Sequence, residues 1–231
     1  MYLEYYVYIA TVIAIILAVW AQVKVSTTFN RYSRTPTATN RTAEEVARMI
    51  LDNNGLTDVR IERVHGNLSD HYDPRSNVLR LSDTVYGQRS AAAIGVAAHE
   101  AGHAIQHKVG YAPVVLRSKM VPVTAFASRF TWVIIVLGIL FMGTSLGYIA
   151  LHVGIGLFAI TTLFQLVTLP CEFDASKRAL EEMDKTGLYS SGELAVSRKV
   201  LSAAALTYVS SLLVSVLQLL RLIIRVDRNR R

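Results

Sequence analysis

Apolar stretches long enough to cross a bilayer alternate with polar segments along this chain. Leu3–Val23 is apolar and aromatic apart from Glu4 and Gln22, and a spanning helix needs about 20 such residues. Two more apolar stretches, Thr131–Phe141 and Tyr148–Leu169, are separated by only a few residues. This spacing predicts a transmembrane hairpin with almost no external loop.

The polar segment after the first apolar stretch has the pattern of a small α+β domain. Lys24–Asn40 is rich in Thr, Ser and Arg and is predicted to be a linker. Thr42–Glu45 has the form of a capping box, which starts a helix. Val59–Val64 and Asn77–Leu81 are predicted to be short strands, and we expect them to pair with each other across the intervening loop.

An alanine-rich helix is predicted over Ala91–Lys108, with Ser90 as its N-cap and with Gly110 and Pro113 closing it. One face of this helix carries too many polar side chains to lie against lipid. We therefore expect a buried helix at or just beyond the membrane surface, packed closely against its neighbours through its alanines.

The chain after the hairpin is predicted to form two further helices. Pro170 is expected to break or kink the chain, after which an amphipathic helix runs to near Gly187. A second capping box at Ser190–Glu193 starts a helix whose apolar part, Leu201–Ile224, is long enough for a fourth span. This last helix is predicted either to span the membrane or to be re-entrant.

Composition agrees with a membrane protein. Hydrophobic residues make up 52% of the chain and charged residues only 18%, unlike a typical soluble domain. The predicted fold class is a mainly α-helical, multi-span membrane protein with three to four transmembrane helices and a small α+β domain. Its segments are 1–24, a transmembrane helix; 25–120, the α+β domain with the alanine-rich helix at about 90–109; 121–169, the transmembrane hairpin; 170–200, a helix and connection; and 201–231, the fourth transmembrane or re-entrant helix with a basic tail.

The net charge of +7 does not indicate nucleic-acid binding, because the basic residues are spread through the polar segments rather than gathered in a patch with aromatics. Lys24–Met120 and Pro170–Val200 hold 18 of the 24 basic residues. The positive-inside tendency therefore predicts that these segments face the cytoplasm from the plasma membrane. Five arginines between Arg221 and Arg231 oppose this orientation if the last helix spans.

His99, Glu100 and His103 form a His-Glu-x-x-His motif within the alanine-rich helix. Residues four apart on a helix project from one face, so the two imidazoles can share a single zinc ion. Glu100 lies beside them, where its carboxylate can take a proton from water as general base. The motif therefore predicts a peptidase site that holds one Zn²⁺.

A catalytic zinc site usually takes a third protein ligand, and the motif helix does not provide it. His107 lies about 12 Å along the helix axis from His99, too far for both to bind one ion. The pattern with a third histidine ten residues after the first fails, because Val109 stands there. Intramembrane site-two-type proteases use an Asp-Gly pair, which this chain lacks.

A carboxylate on a second helix is the remaining solution, as in the glutamate zincins. Glu172 is the best candidate, because small residues that follow it form a helix face able to pack against the motif helix. Asp174 points about 200° away on the same helix. Asp174 and His71 remain the alternatives should Glu172 not be a ligand.

The chain resembles the YugP-type family of bacterial membrane zinc metallopeptidases over nearly its whole length. The resemblance is carried by Ser-Asp-His-Tyr-Asp-Pro (Ser69–Pro74), Ala-Ala-His-Glu-Ala-Gly-His-Ala-Ile-Gln (Ala97–Gln106) and Pro-Cys-Glu-Phe-Asp-Ala-Ser-Lys-Arg-Ala (Pro170–Ala179). More distantly, the chain resembles HtpX-type and CAAX-prenyl membrane proteases, whose second motif is Glu-x-x-Ala-Asp.

This resemblance implies a zincin-like α+β domain and a gluzincin-like zinc endopeptidase. It places Glu172 on the ligand position, and Ser176 where the more distant families have an Asp that supports a zinc-bound His. The implied partners are a protein or peptide substrate associated with the membrane, and the bilayer itself. His71 and Asp73 are further candidates for supporting the ligands or contacting substrate.

Strand residues Val78–Ser82 are predicted to pair with an extended substrate by edge addition. Two other functions stay open: a catalytically silent membrane scaffold that keeps zinc for stability, and a metal-handling membrane protein. The intact Glu100 disfavours the scaffold. Polar residues are scarce in the spans beyond Arg129, His152 and Gln165, which disfavours transport.

Overall fold

The structure is a computed structural model that describes residues 2–228. Its helices and strands are, in chain order, α1 (Tyr2–Tyr32), α2 (Ala43–Asn53), β1 (Arg60–Val64), β2 (His71–Asp73), β3 (Val78–Ser82), α3 (Ala91–Lys108), α4 (Ala112–Leu140), α5 (Ser145–Lys185) and α6 (Ser191–Arg228). Arg230 and Arg231, which entered the orientation argument, lie outside the described residues, as does the side chain of Arg228.

The described residues form two compact units. The apolar unit contains the residues through Trp20, Leu116–Leu169 and the residues from Tyr208 onward; the polar unit contains Ala21–Val115 and Pro170–Thr207. Helices α1, α4, α5 and α6 are each long and apolar enough to cross a membrane. The prediction of a mainly helical protein is confirmed, and the described residues contain four candidate spans and one small sheet.

The helices of the apolar unit turn large apolar side chains outward. Leu140 is 71% exposed and Leu146 is 69% exposed, which is favourable only where hydrocarbon rather than water surrounds them. Within the unit, Gly138 allows α4 and α5 to approach closely, since a Cβ there would lie 2.7 Å from a side-chain carbon of Leu151.

Helix α1 is longer than predicted, because it continues through much of the expected linker to Tyr32. Hydroxyl side chains in this part bond back to the preceding turn, as Thr27 Oγ1 does to the Val23 carbonyl at 2.9 Å. Phe29 is also buried in the core of the polar unit. Tertiary packing thus keeps a polar sequence helical.

Neither Pro113 nor Pro170 ends a helix, and the kink predicted as the alternative at Pro170 stays a prediction. Pro113 does not close α3 but lies in the first turn of α4, where its missing N–H breaks no helical hydrogen bond. Pro170 does not break the chain, because α5 runs through it from Ser145 to Lys185. The segment just beyond Pro170 is held by packing, as Cys171 and Ala175 are fully buried.

The sheet has the order β1-β3-β2, with β1 parallel and β2 antiparallel to β3. The predicted pairing of the first and last strands is confirmed, but β2 lies in what was predicted to be loop. Because β3 is central, both its edges are already paired, so the prediction that a substrate adds to Val78–Ser82 is wrong. Asp70 fixes β2 against β3, since its carboxylate accepts from the Ser82 amide at 2.7 Å and from the Ser82 hydroxyl at 2.9 Å.

The predicted helix caps are present in the polar unit. Thr42 and Glu45 form the reciprocal capping box of α2, and Ser90 Oγ accepts from the Ala93 amide at the start of α3. Helix α3 has the predicted bounds and packs most of its length into the core beside α2. Its buried alanines allow the backbones of neighbouring segments to approach it closely.

Candidate metal centre

Helices α3 and α5 are in close contact at Gly102. A Cβ on Gly102 would lie 2.7 Å from the Ala175 backbone oxygen, so a side chain there would force the helices apart. Ala98, Ala101 and Ala179 are also fully buried. The predicted packing of a small-residue face of α5 against the motif helix is therefore confirmed.

This close approach brings together three side chains that can bind a metal. His99 Nε2 lies 3.3 Å from Glu172 Oε2, and His103 Nε2 lies 3.6 Å from the same oxygen. All three ligand atoms lie within 4.8 Å of one another. Within the part of the chain that the structure describes, this is the one cluster of three or more such groups suited to holding a metal.

A serine on α5 contacts the first histidine. Ser176 Oγ lies 3.1 Å from His99 Nδ1, so the other ring nitrogen is left to face Glu172. A hydroxyl can accept the Nδ1 proton as an Asp carboxylate would, but it forms a weaker bond because it carries no charge.

A glutamine on α3 contacts the second histidine. Gln106 Oε1 lies 2.9 Å from His103 Nδ1, while Gln106 Nε2 donates to the Cys171 carbonyl and to Asp174 Oδ2, each at 2.8 Å. Because the amide nitrogen has two acceptors, the amide oxygen must face the imidazole. His103 therefore carries its proton on Nδ1, which leaves the Nε2 lone pair directed at the cluster.

Asp174 also accepts a hydrogen bond from Arg178 Nε at 2.6 Å. The connected side chains thus run from Arg178 through Asp174 and Gln106 to His103. Burial alone would lower the pKa of His103, but the neighbouring Glu172 and Glu100 carboxylates favour the charged imidazolium, outweigh burial and raise that pKa above its ordinary value.

Glu100 is buried and is held by strand β2. Its Oε2 accepts from the Tyr72 backbone N–H at 3.1 Å, and only 8% of the residue is exposed. Because the Tyr72 N–H donates to Glu100, it does not donate to strand β3. The outer edge of β2 therefore lies directly over the motif helix.

The other predicted site residues lie outside the cluster. His71 is exposed, and its Nδ1 lies 2.9 Å from the Ser69 carbonyl. The Asp73 carboxylate accepts from the Arg75 amide and the Ser76 hydroxyl within the β2–β3 turn. Neither side chain supports a histidine of the cluster, and their suggested contact with substrate stays a prediction.

Sequence reasoning missed two contributors to the site. Gln106 lies three residues after His103, a spacing that puts both on one helix face. This spacing could have indicated that Gln106 contacts the His103 ring. Tyr72 contributes through its backbone, which carries no residue-specific signal, and β2 itself lacks a clear strand pattern. Asp174, weighed as an alternative ligand, instead bonds Gln106 and Arg178.

Comparison with known proteins agrees with the resemblance inferred from the three motif stretches. The family described as "Putative neutral zinc metallopeptidase" matches residues 7–227. The chain is 49% identical over 213 residues to "Putative membrane protease YugP" of Bacillus subtilis (strain 168), which covers 92% of this chain and 93% of that protein. No solved structure matches the chain. The predicted family is confirmed: the chain belongs to the family described as "Putative neutral zinc metallopeptidase".

Proposed function

We propose that the chain is a zinc-dependent membrane endopeptidase of the gluzincin type. In this proposal His99, His103 and Glu172 hold one zinc ion, and Glu100 is the general base. The observation that carries it is the convergence of the three ligand atoms within 4.8 Å from two helices, with Glu100 next to His99 in the chain.

The residues of the cluster fit zinc. Two imidazole nitrogens and one carboxylate oxygen are the ligand set of several catalytic zinc sites. Both imidazoles contact a polar side chain through Nδ1, as metal-binding histidines commonly do. When bound, zinc polarises the scissile carbonyl and lowers the pKa of water at the site.

The chain's own residues account for the proton transfers. Glu100 takes a proton from the attacking water and delivers it to the leaving amine. The Tyr72 amide holds one carboxylate oxygen of Glu100, so the other oxygen keeps a fixed direction. We expect an extended substrate to lie along β2, because that edge strand, rather than β3, is beside Glu100.

We further propose that the substrate is a membrane-associated protein and that the site faces the cytoplasm from the plasma membrane. The excess of basic residues in the segments that form the polar unit supports this orientation. The four apolar helices support a location in the bilayer.

Replacing Glu100 tests the proposal. The purified full chain in detergent is assayed with a quenched peptide library, with and without a chelator, and its zinc content is measured. Glu100→Gln should reduce cleavage by about 10²- to 10⁴-fold while zinc content stays at the wild-type level. Glu181→Gln is the matched control, because Glu181 lies on α5 with an exposed carboxylate that pairs with Lys177 rather than with the cluster.

Two results would contradict the proposal. Full activity of Glu100→Gln would exclude Glu100 as the base. A wild-type chain that binds zinc but shows no chelator-sensitive cleavage would favour the silent scaffold instead.

A further inference from the structure

A basic pocket of about 560 Å³ lies in the polar unit between the last turns of α1 and the third and fourth turns of α6. We use the name "basic pocket" for this cavity. Lys24 and Arg31 line it from α1, and Arg198 and Lys199 line it from α6. No acidic residue is among its lining residues. It is remote in sequence from the residues of the metal cluster.

Three of the four cations of the basic pocket have no ion-pair partner among the residues that the structure describes. Among residues 2–228, no carboxylate oxygen lies within 4.0 Å of the side-chain nitrogens of Arg31, Arg198 or Lys199. The acidic residue nearest to them along α6, Glu193, is engaged elsewhere, because its carboxylate accepts from the Ser190 hydroxyl and from the Ala38 amide. An anion entering the pocket would therefore meet the unpaired cations of Arg31, Arg198 and Lys199.

Tyr32 holds cations from both helices near each other. The guanidinium carbon of Arg31 lies 5.7 Å from the Tyr32 ring centroid, and Lys199 Nζ lies 5.8 Å from it. Cation–π contacts of this kind offset only part of the repulsion between like charges. A bound anion would offset the remainder.

The basic pocket also offers hydroxyl donors. Thr28 and Ser202 line it, and in the described part of the chain their hydroxyls have no hydrogen-bond partner. Guanidinium, ammonium and hydroxyl groups together form the donor set that phosphate oxygens accept from.

The position of the pocket along its helices indicates where such a phosphate would come from. Lys24 directly follows the apolar stretch Leu3–Val23, and Lys199 is followed directly by Val200 and the apolar part of α6. The cations thus lie where two candidate spanning helices change from apolar to polar, which is the depth of lipid head groups. We propose that the basic pocket binds the phosphate group of an anionic phospholipid.

This site is independent of the proposed peptidase activity, because it uses none of the cluster residues. Lipid binding there fixes the polar ends of α1 and α6 to the membrane surface. A soluble phosphate compound has the same phosphate chemistry, so the test must compare the two sources.

Native mass spectrometry of the purified full chain in detergent provides that test. The probes are phosphatidylglycerol, zwitterionic phosphatidylcholine and soluble glycerol 3-phosphate. The variants are the pocket double substitutions Arg198→Gln/Lys199→Gln and Lys24→Gln/Arg31→Gln, one from each helix. The matched control is Arg34→Gln/Arg75→Gln, which removes the same charge from two exposed residues outside the pocket.

Wild type should bind phosphatidylglycerol at least tenfold more tightly than the other two probes. Each pocket variant should lose at least tenfold, whereas the control should stay within twofold of wild type. Equal binding of phosphatidylglycerol by wild type and the pocket variants would overturn the proposal, as would an equal loss in the control. The lipid proposal would also be overturned if glycerol 3-phosphate bound wild type as tightly as phosphatidylglycerol did and the pocket variants lost that binding. The pocket would then be assigned to a soluble ligand.

Discussion

Two glutamines, one in each unit, show how differently the units use a polar side chain. Gln106 in the polar unit is fully buried and bonds three groups: the His103 ring, the Cys171 carbonyl and the Asp174 carboxylate. Gln165 in the apolar unit accepts one hydrogen bond, from the Ser215 hydroxyl at 2.9 Å. Gln106 orients the His103 ring through a network, whereas Gln165 joins α5 to α6 through one hydrogen bond.

Four hydroxyl side chains, two from each unit, show the same difference. In the apolar unit, Thr11 and Thr131 bond back to carbonyls of their own helices, at 2.7 and 2.6 Å. In the polar unit, Ser176 and Ser197 bond across to α3. A hydrogen bond within one helix does not hold that helix against its neighbours. A hydrogen bond between two segments does, and such bonds position the residues of the metal cluster. Substitutions that remove matching features from the two units should therefore have unequal effects.

The largest difference is expected for glycine. Gly102→Ala places a Cβ 2.7 Å from the Ala175 oxygen and should lower the free energy of unfolding by about 2 kcal/mol. Because α3 and α5 must separate, zinc affinity should fall by about a hundredfold or more. Gly156→Ala, in the apolar unit, meets no atom within 4 Å and should leave both unchanged. Thermal unfolding and chelator competition measure the two quantities, and equal effects of the two substitutions would contradict the account.

Glutamine should give the next largest difference. Gln106→Leu removes the acceptor for His103 Nδ1 and leaves the Asp174 and Cys171 oxygens without this donor, so zinc affinity should fall about 10- to 100-fold. Gln165→Leu removes one bond between helices, worth about 0.6 kcal/mol in a membrane, and should not change zinc affinity. Chelator competition on both variants checks this. A Gln106→Leu protein with wild-type affinity would show that the orientation of His103 does not depend on Gln106.

The smallest effect is expected for Asp73, whose carboxylate contacts the β2–β3 turn and Arg80 of β3. Its pKa is lowered from 3.8 to about 2, because the Ser76 hydroxyl and the Arg75 amide donate to the carboxylate. A lowered pKa stabilises the folded state above pH 4, and this stabilisation is lost as the pH falls towards 2. Asp73→Asn should therefore lower Tm at pH 7 by no more than about 3 °C, with the difference from wild type shrinking in acid. Zinc affinity at pH 7 should not change, and a large loss would place Asp73 in the site.

The apolar unit could be predicted from sequence more directly than the polar unit. Long apolar runs indicate spanning helices by length alone, and the structure has helices at all of them. Their ends were less predictable. Pro170 looks like a helix break when α5 is considered in isolation, whereas buried packing at Cys171 and Ala175 keeps the helix continuous.

In the polar unit, sequence predicted the elements better than their arrangement. The spacing of His99 and His103 and the caps of α2 and α3 are local features, so they can be recognised from a few residues. The central position of β3 depends on β2, a strand of three residues without a strand pattern. The role of Gln106 depends on Asp174 and Cys171, which come from a distant segment, so only the fold reveals it.

The central claim is that Glu172 completes a zinc site with His99 and His103, and zinc stoichiometry tests it most directly. The purified full chain, Glu172→Gln and the control Glu181→Gln are each dialysed against a weak chelator and analysed for bound metal. Glutamine keeps the shape of the side chain while removing its charge, so packing between α3 and α5 is preserved. The account predicts one zinc per chain in wild type and control and a loss of most zinc in Glu172→Gln. One zinc per chain retained by Glu172→Gln, with wild-type resistance to the chelator, would contradict it.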